Sequence, residues 1–193
     1  MDYLILSWRD VYNLTLQLSE RIVMSNFRPD IIVGIARGGW IPARILSDVL
    51  YANALQNIRI EYYTDVGVKG KNPQITQPLS GTLAEKNILL VDEVADTGDS
   101  LHTAIEHIKS LGAASLRSAV LHLKPTSRVV PDYYMVLTDS WTVYPWENRE
   151  SIIALVKKFK EEDESTSMKE IRNRLVFEVG FEPTVADYFI KRL

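Results

Sequence analysis

The chain has 193 residues, 46% of them hydrophobic, which is enough for one domain of ordinary size with a buried core. Its formal net charge of −3 excludes an overall basic field for nucleic acid, so we expect no nucleic-acid partner. Cysteine is absent, which excludes disulfide bonds, thiolate zinc sites and a cysteine nucleophile.

The N-terminal segment contains only a short apolar run without a basic lead, which predicts no secretion signal. No apolar run approaches the length of about 18 residues that a membrane helix needs. We therefore expect a cytoplasmic protein with no membrane partner.

Helix and strand are predicted to alternate from the start of the chain. Ser7 and Asp10 have the spacing of a capping box, and apolar residues follow at helical spacing. Residues 30–36 form a short apolar run typical of a buried strand, which leads directly into Arg37-Gly38-Gly39. A second helix is predicted over residues 41–51.

Residues 58–63 predict another strand, and the polar segment that follows predicts a loop. Residues 64–80 contain several glycines and prolines, so we expect a long mobile loop there. Long loops inside compact domains are usually functional lids or disordered segments.

The most informative segment is residues 88–101, with the sequence ILLVDEVADTGDSL. An apolar run leads into Asp92-Glu93, and a polar turn from Asp96 to Ser100 precedes renewed helical periodicity. This pattern predicts a buried strand, a tight loop and a helix. Amides and hydroxyls at a helix start can bind phosphate, and the acids can accept hydrogen bonds from ribose hydroxyls. The segment therefore indicates a sugar-phosphate site; the structural alternative is a turn with acids at its solvated end.

Two further strands are predicted at residues 115–123 and 133–137. Strands that alternate with helices favour a parallel α/β sheet, with ligands at the carboxyl ends of the strands. Both glycine-bearing loops fall at such ends.

The C-terminal part has a different character. Residues 151–159 are amphipathic and run into a charged segment. Ser167 and Glu170 form a second capping-box pattern, which predicts the start of a helix. Residues 184–193 predict a short terminal helix. We divide the chain into a main domain of residues 1–149 and a helical extension of residues 150–193.

The segment 88–101 resembles the signature of the phosphoribosyltransferases, which has an apolar strand, two acids, two apolar residues, Asp/Glu-Thr-Gly and a small hydroxyl residue. Glu93 stands in place of the commoner second aspartate. The resemblance implies a type I phosphoribosyltransferase: an α/β fold with a central, mostly parallel sheet flanked by helices and a small base-binding hood, here followed by the C-terminal helical extension.

The resemblance also implies roles for the signature residues. Asp92 and Glu93 would bind the ribose of phosphoribosyl pyrophosphate (PRPP), and Asp96 would be the catalytic group that assists proton transfer at the purine imidazole nitrogen. The residues that would hold the 5-phosphate are Ala95, Asp96, Thr97, Gly98, Asp99 and Ser100.

In this family the loop after the first strand binds pyrophosphate, and Arg37, Gly38 and Gly39 occupy the matching place. Glycines let the backbone approach an anion closely, and Arg37 adds positive charge. The family often has a non-proline cis peptide here, which we assign to the Arg37–Gly38 bond. Taken alone, Arg-Gly-Gly is usually just a turn.

Base recognition is expected from two further segments. Members of the family that act on 6-oxopurines use a lysine that donates to the 6-oxygen and an aromatic residue that stacks on the ring. Lys124 and Trp141 match these positions, followed by Thr142 and Val143. An ammonium cannot accept a hydrogen bond from the amino group of adenine, which favours a 6-oxopurine. The alternatives are an exposed lysine and a core aromatic residue.

The resemblance implies Mg²⁺ as cofactor, held by Asp92, Glu93 and Glu147, although Glu147 could instead begin a helix. The expected partners are PRPP and a purine base or nucleotide, and the expected assembly is a homo-oligomer, a dimer or a tetramer. The implied function is transfer of 5-phosphoribosyl from PRPP to a 6-oxopurine, giving a nucleoside monophosphate in purine salvage. The alternatives are a regulatory protein of this fold that senses PRPP or a nucleotide, and a transferase for another base.

The lid of the active site matches the family least well. The family often has a Ser-Tyr pair in its flexible loop, whereas this chain has Tyr62-Tyr63. Lys69 and Lys71 could reach pyrophosphate on closure, although solvated loop lysines are the simpler interpretation. The three histidines are expected to be structural, because they fall on a predicted helix and a predicted strand.

Overall fold

The computed structural model describes residues 2–52, 54–63 and 72–193. These residues belong to two compact units, one formed by residues 11–138 and the other by residues 1–10 together with 139–193. No helix among the described residues is long and apolar enough to span a membrane.

The larger unit is built on a six-stranded sheet with the strand order β4-β3-β2-β5-β6-β7. All neighbours in this sheet are parallel except β3 and β4, which confirms the predicted α/β fold with a mostly parallel sheet. The strands are β2 (Ile31–Ala36), β3 (Ala54–Tyr63), β4 (Asn72–Gln77), β5 (Asn87–Ala95), β6 (Ser115–Leu123) and β7 (Tyr133–Leu137). The helices that alternate with them are α1 (Trp8–Met24), α2 (Trp40–Val49) and α3 (Asp99–Ser110).

The core of this unit lies around the central strands β2 and β5. Residues 31–35 and 88–91 are all buried, because helices cover both faces of a parallel sheet and every side chain of a central strand points into a core. α3 contributes Leu101, Ala104 and Ile108 to the same hydrophobic cluster. Burial of each large side chain stabilises the fold by about 1.5–3 kcal/mol, so the end of β5 is firmly positioned.

Part of the predicted mobile loop is a strand. Residues 72–77 form β4, which pairs antiparallel with β3, so the loop prediction is wrong there. β4 is an edge strand, where a polar sequence and Pro73 are tolerated because one side of the strand needs no partner. Residues 64–71, including Lys69 and Lys71, lie outside the described residues.

The smaller unit contains a short sheet and a group of helices. β1 (Tyr3–Ile5) pairs in parallel with β8 (Trp141–Val143). The helices are α4 (Asn148–Glu162), α5 (Met168–Arg174) and α6 (Pro183–Ile190), with a π-helical turn over Leu175–Val179. Their shared core includes Val143, Ile152, Leu155, Phe159, Ile171, Leu175 and Phe181.

Both predicted capping boxes are present. The Ser7 amide donates to the Asp10 carboxylate at 2.8 Å, and Ser167 and Glu170 satisfy each other in the same way at the start of α5. The domain boundary at residue 149 stays a prediction.

Candidate active site

A cavity of about 670 Å³ lies at the carboxyl end of β5. Its lining consists of Tyr62 and the continuous segment 92–101. This volume is in the range of small-molecule sites, and its position at the carboxyl ends of parallel strands is where ligands of α/β sheets bind. The structure therefore brings together the residues predicted to bind ribose and the 5-phosphate.

The two acids belong to β5 itself, because the strand continues to Ala95 before the loop begins. Asp92 is buried, and its Oδ1 accepts a hydrogen bond from the amide of Glu93 at 3.0 Å. Burial raises the pKa of Glu93 well above its usual value, and the negative charge of Asp92 adds to this, while Arg37 opposes it. The raised pKa favours the protonated form of Glu93, and both acids line the cavity.

The loop after β2 lies directly against the two acids. A Cβ atom on Gly38 would be 2.1 Å from Oε1 of Glu93. A Cβ atom on Gly39 would be 2.7 Å from the carbonyl oxygen of Val91 and 2.8 Å from Cα of Asp92. Gly39 is therefore required by close approach to the backbone of β5, whereas a side chain at Gly38 would displace the carboxylate of Glu93.

The cis peptide bond of this loop joins Ala36 to Arg37. Our assignment to the Arg37–Gly38 bond is therefore wrong by one residue. β2 ends at Ala36, so the turn begins at the bond that leaves the strand.

The predicted phosphate loop leads into the N-terminus of α3. Gly98 has φ of +80°, a left-handed conformation that favours glycine. The hydroxyl of Thr97 donates to Asp99 at 2.8 Å and accepts from the Asp99 amide at 3.3 Å. Backbone amides at a helix N-terminus attract anions, so the loop is suited to a phosphate group. The side chains of Thr97 and Asp99 shape the loop.

A segment after β6 supports the phosphate loop from outside. The Arg128 amide donates to the Thr97 carbonyl at 2.9 Å, and the Arg128 guanidinium forms an ion pair with Asp99 at 2.8 Å. The Thr126 hydroxyl donates to the Asp96 carbonyl at 3.1 Å. A Cβ atom on Gly98 would lie 2.6 Å from the Ser127 hydroxyl, so this support is closely packed. Sequence analysis missed these residues, because the contacts join segments about 30 residues apart.

Lys124 begins this supporting segment. Its amide donates to the carbonyl of Ala95 at 2.9 Å, which places its backbone next to the wall of the cavity. The residue is half-buried, so it is not the fully exposed lysine of the alternative interpretation.

The other predicted base-binding residues form β8 in the smaller unit. Trp141 packs against the core of that unit, with its ring 5.9 Å from the ring of Tyr3. Thr142 and Val143 are buried. Glu147 is the residue before α4, and its carboxylate accepts from the Tyr144 amide at 3.4 Å.

Tyr62 is a further residue of the cavity that sequence analysis did not assign. It lies near the end of β3, and its hydroxyl is 2.9 Å from the hydroxyl of Ser100. The only feature of the sequence that pointed to Tyr62 was its place in the pair Tyr62-Tyr63.

The carboxylates of Asp92 and Glu93 fit the requirements of Mg²⁺. Hard oxygen atoms are its preferred ligands, and a bound divalent cation would favour the ionised form of Glu93 against the burial and the Asp92 charge that raise its pKa. Within the described ranges, no group of three or more His, Asp or Glu side chains is arranged to hold a metal. Mg²⁺ in nucleotide enzymes is commonly held by one or two carboxylates together with phosphate oxygens of the substrate, which agrees with a pair of acids.

Residues 5–151 match the family model of the phosphoribosyl transferase domain. The chain therefore belongs to the phosphoribosyltransferase family, as its signature predicted, and this family is a class of enzymes.

Known relatives place the chain near the 6-oxopurine transferases. It is 32% identical over 180 residues to the hypoxanthine-guanine phosphoribosyltransferase of Schizosaccharomyces pombe, covering 73% of this chain and 87% of that protein. It is 31% identical over 184 residues to xanthine phosphoribosyltransferase 1 of Saccharomyces cerevisiae, covering 74% and 88%. The crystal structure of a purine phosphoribosyltransferase from Pyrococcus horikoshii is similar, with 41% identity, a TM-score of 0.69 and coverage of 76% of this chain and 95% of that chain. The predicted resemblance to 6-oxopurine phosphoribosyltransferases is confirmed.

Proposed function

We propose that this enzyme transfers the 5-phosphoribosyl group of PRPP to a 6-oxopurine base, forming a purine nucleoside monophosphate and pyrophosphate. The observation that carries the proposal is the cavity of about 670 Å³ that residues 92–101 line without interruption. Relatives named for hypoxanthine, guanine and xanthine support the choice of base.

In this proposal the sugar phosphate spans the cavity along β5 and its loop. Asp92 and Glu93 accept hydrogen bonds from the ribose hydroxyls. The amides at the start of α3 bind the 5-phosphate, and the left-handed Gly98 turns them toward the anion. The 5-phosphate residues are Ala95, Asp96, Thr97, Gly98, Asp99 and Ser100.

The reaction breaks the bond between ribose C1 and pyrophosphate and forms a bond between C1 and an imidazole nitrogen of the purine. The transition state resembles an oxocarbenium ion, as in other glycosyl transfers. Asp96 takes the proton from that nitrogen; its backbone carbonyl is fixed by Thr126, which holds the residue at the mouth of the loop. The departing pyrophosphate is held by Arg37 and the backbone of Gly38 and Gly39.

Base selection rests on a lysine. Lys124 donates to the 6-oxygen of the purine, Trp141 stacks on the ring, and backbone groups of Thr142 and Val143 complete the contacts. The half-buried position of Lys124 beside Ala95 supports this role.

The proposal includes Mg²⁺, held by Asp92 and Glu93 with substrate oxygens and by Glu147. When bound, the ion would neutralise charge on the pyrophosphate group. Dialysis against a chelator should abolish turnover, and added MgCl₂ should restore it. The enzyme is proposed to act in the cytoplasm and to form a homo-oligomer. Light scattering would test the oligomeric state.

The direct test is pyrophosphate release from PRPP with hypoxanthine, guanine, xanthine and adenine, each assayed alone. The proposal expects turnover with at least one 6-oxopurine and much slower turnover with adenine. Turnover with adenine at an equal rate would contradict the base assignment. PRPP binding without turnover on any base would favour the regulatory alternative.

A further inference from the structure

A second cavity of about 420 Å³ lies where β2 and β3 end. It is lined by Ala36, Arg37 and the residues Arg59–Tyr62. Tyr62 also lines the larger cavity, so the two share a wall. The second cavity therefore adjoins both the glycine loop and the predicted PRPP site.

The register of the sheet brings two guanidinium-bearing residues to this cavity. Arg59 pairs with Ala36, the last residue of β2, and Arg37 is the next residue of the chain. Side chains of adjacent strands at the same register are neighbours. The cavity is therefore lined by two arginines, Arg59 of β3 and Arg37 of the loop after β2, whereas the sequence pointed only to Arg37.

Arg59 is held by an ion pair within its own strand. Its Nη2 lies 2.6 Å from Oε1 of Glu61, and 47% of the Arg59 side chain is exposed. Exposed ion pairs of this kind contribute only about 0–1 kcal/mol. A ligand with several negative charges can therefore replace Glu61 as the partner of Arg59 at small cost.

We propose that Arg59 is a second cation for the pyrophosphate group of PRPP and that Glu61 holds its guanidinium in place until the pyrophosphate displaces it. This inference rests on the proposed function. An arginine offers bidentate hydrogen bonds to phosphate oxygens, and two arginines suit a diphosphate better than a single phosphate. The 5-phosphate has a separate site at the start of α3, so Arg59 should affect only the diphosphate end.

The test is calorimetric titration of the full chain with PRPP, with pyrophosphate and with ribose 5-phosphate, which lacks the diphosphate. Arg59→Ala should weaken binding of PRPP and of pyrophosphate by about 10- to 100-fold, the usual worth of a charged hydrogen bond, and leave ribose 5-phosphate unchanged. Glu61→Gln should strengthen binding of both diphosphates, because it removes the competing carboxylate.

Arg117→Ala is the matched control. Arg117 forms an ion pair with Asp132 at the same distance of 2.6 Å, has 54% of its side chain exposed, and lies at the other end of the sheet. It should leave all three affinities unchanged. Circular dichroism of each variant would verify the fold.

Three results would overturn the inference: diphosphate affinities within twofold of wild type in Arg59→Ala, an equal loss for ribose 5-phosphate, or weaker diphosphate binding in Glu61→Gln. If the wild-type protein bound neither PRPP nor pyrophosphate, the proposed function would fail with it. Normal PRPP binding in Arg59→Ala would leave the proposed function intact and remove only this assignment.

Discussion

At the scale of single residues, Asp92 and Glu93 are adjacent in β5 but have different surroundings. Asp92 is fixed by the amide of its neighbour, whereas the carboxyl group of Glu93 lies against the backbone of Gly38. The sequence identified both acids because they are part of a recognisable pattern. It did not predict the burial of Asp92 or the partial burial of Glu93, which depend on a loop that precedes them by more than 50 residues.

The proton-transfer role of Asp96 can be separated from a role in binding. Asp96→Asn keeps the shape of the side chain and removes the base, so turnover should fall by roughly 100- to 10,000-fold with little change in PRPP affinity. Steady-state kinetics and calorimetry on the same preparation would measure both. A turnover loss below about threefold would contradict the proton-transfer role of Asp96, because general acid–base residues usually contribute far more than this.

Base selection by Lys124 gives the second prediction. Adenine offers no acceptor in place of the 6-oxygen, and sites built to hydrogen-bond a substrate group discriminate against analogues that lack it by up to roughly 10,000-fold. Lys124→Ala should therefore lower kcat/KM for hypoxanthine or guanine and narrow the difference from adenine. Lys109→Ala, on the exposed surface of α3, is the control. It should change neither kcat/KM for the 6-oxopurines nor their difference from adenine. Equal use of adenine and hypoxanthine by the wild type would contradict this role.

At the scale of elements, the site depends on two loops that pack against other segments. The glycine loop lies on β5, and the segment 126–129 supports the phosphate loop. The strand, loop and helix of residues 88–101 could be predicted because their pattern is local. The supporting contacts of Arg128 and Thr126 could not, since they join distant segments and have no local signature. β4 was missed for a related reason: its pairing with β3, not its own composition, makes it a strand.

Gly39→Ala tests the packing of the glycine loop. The new methyl group would meet the Val91 carbonyl and Asp92 Cα, so the loop must move away from β5. We expect a loss of about 1–3 kcal/mol in the free energy of unfolding, typical of overpacking, and weaker PRPP binding.

Gly112→Ala is the control for backbone strain. Gly112 also has a positive φ, but nothing lies within 4 Å of the position of its Cβ. This variant should lose stability while keeping its PRPP affinity. Normal PRPP affinity in Gly39→Ala as well would show that the position of the loop does not matter for binding.

At the scale of the whole molecule, the alternation of strands and helices was enough to predict a parallel α/β sheet. The short pairing of β1 with β8 was not predictable, because strands of three residues carry too little periodicity. The helices after residue 150 were expected from their capping box and amphipathic pattern, but the π-helical turn at Leu175–Val179 was not. Such turns depend on tertiary packing, here around the buried Leu175 and Val179.

The stability of the molecule should depend on pH through His122. Burial, and then the positive charge of Lys124, lower the pKa of His122 to about 4 from its usual 6.5. Between these pH values the unfolded chain therefore binds more protons than the folded chain. The contribution of neutral His122 to the free energy of unfolding is complete above pH 6.5 and is lost as the pH falls toward 4. The loss in the free energy of unfolding over this pH range is about 3 kcal/mol.

Urea unfolding at several pH values would measure this effect. His122→Gln should flatten the decline in stability below pH 6.5, the normal pKa of the group. His102→Gln, at an exposed position of α3, should behave as the wild type. If the stability of His122→Gln declined with falling pH as steeply as that of the wild type, the assignment of this pH dependence to His122 would be contradicted.

The central claim is that the acids of β5 bind the ribose of PRPP. Calorimetric titration of PRPP into Asp92→Asn/Glu93→Gln measures it most directly, with Asp48→Asn/Glu106→Gln as a control of equal charge on two exposed ion pairs. We predict that the first variant folds but binds PRPP at least about tenfold more weakly, the loss expected when charged hydrogen bonds are removed, while the control binds as the wild type. Unchanged affinity in Asp92→Asn/Glu93→Gln would contradict the account.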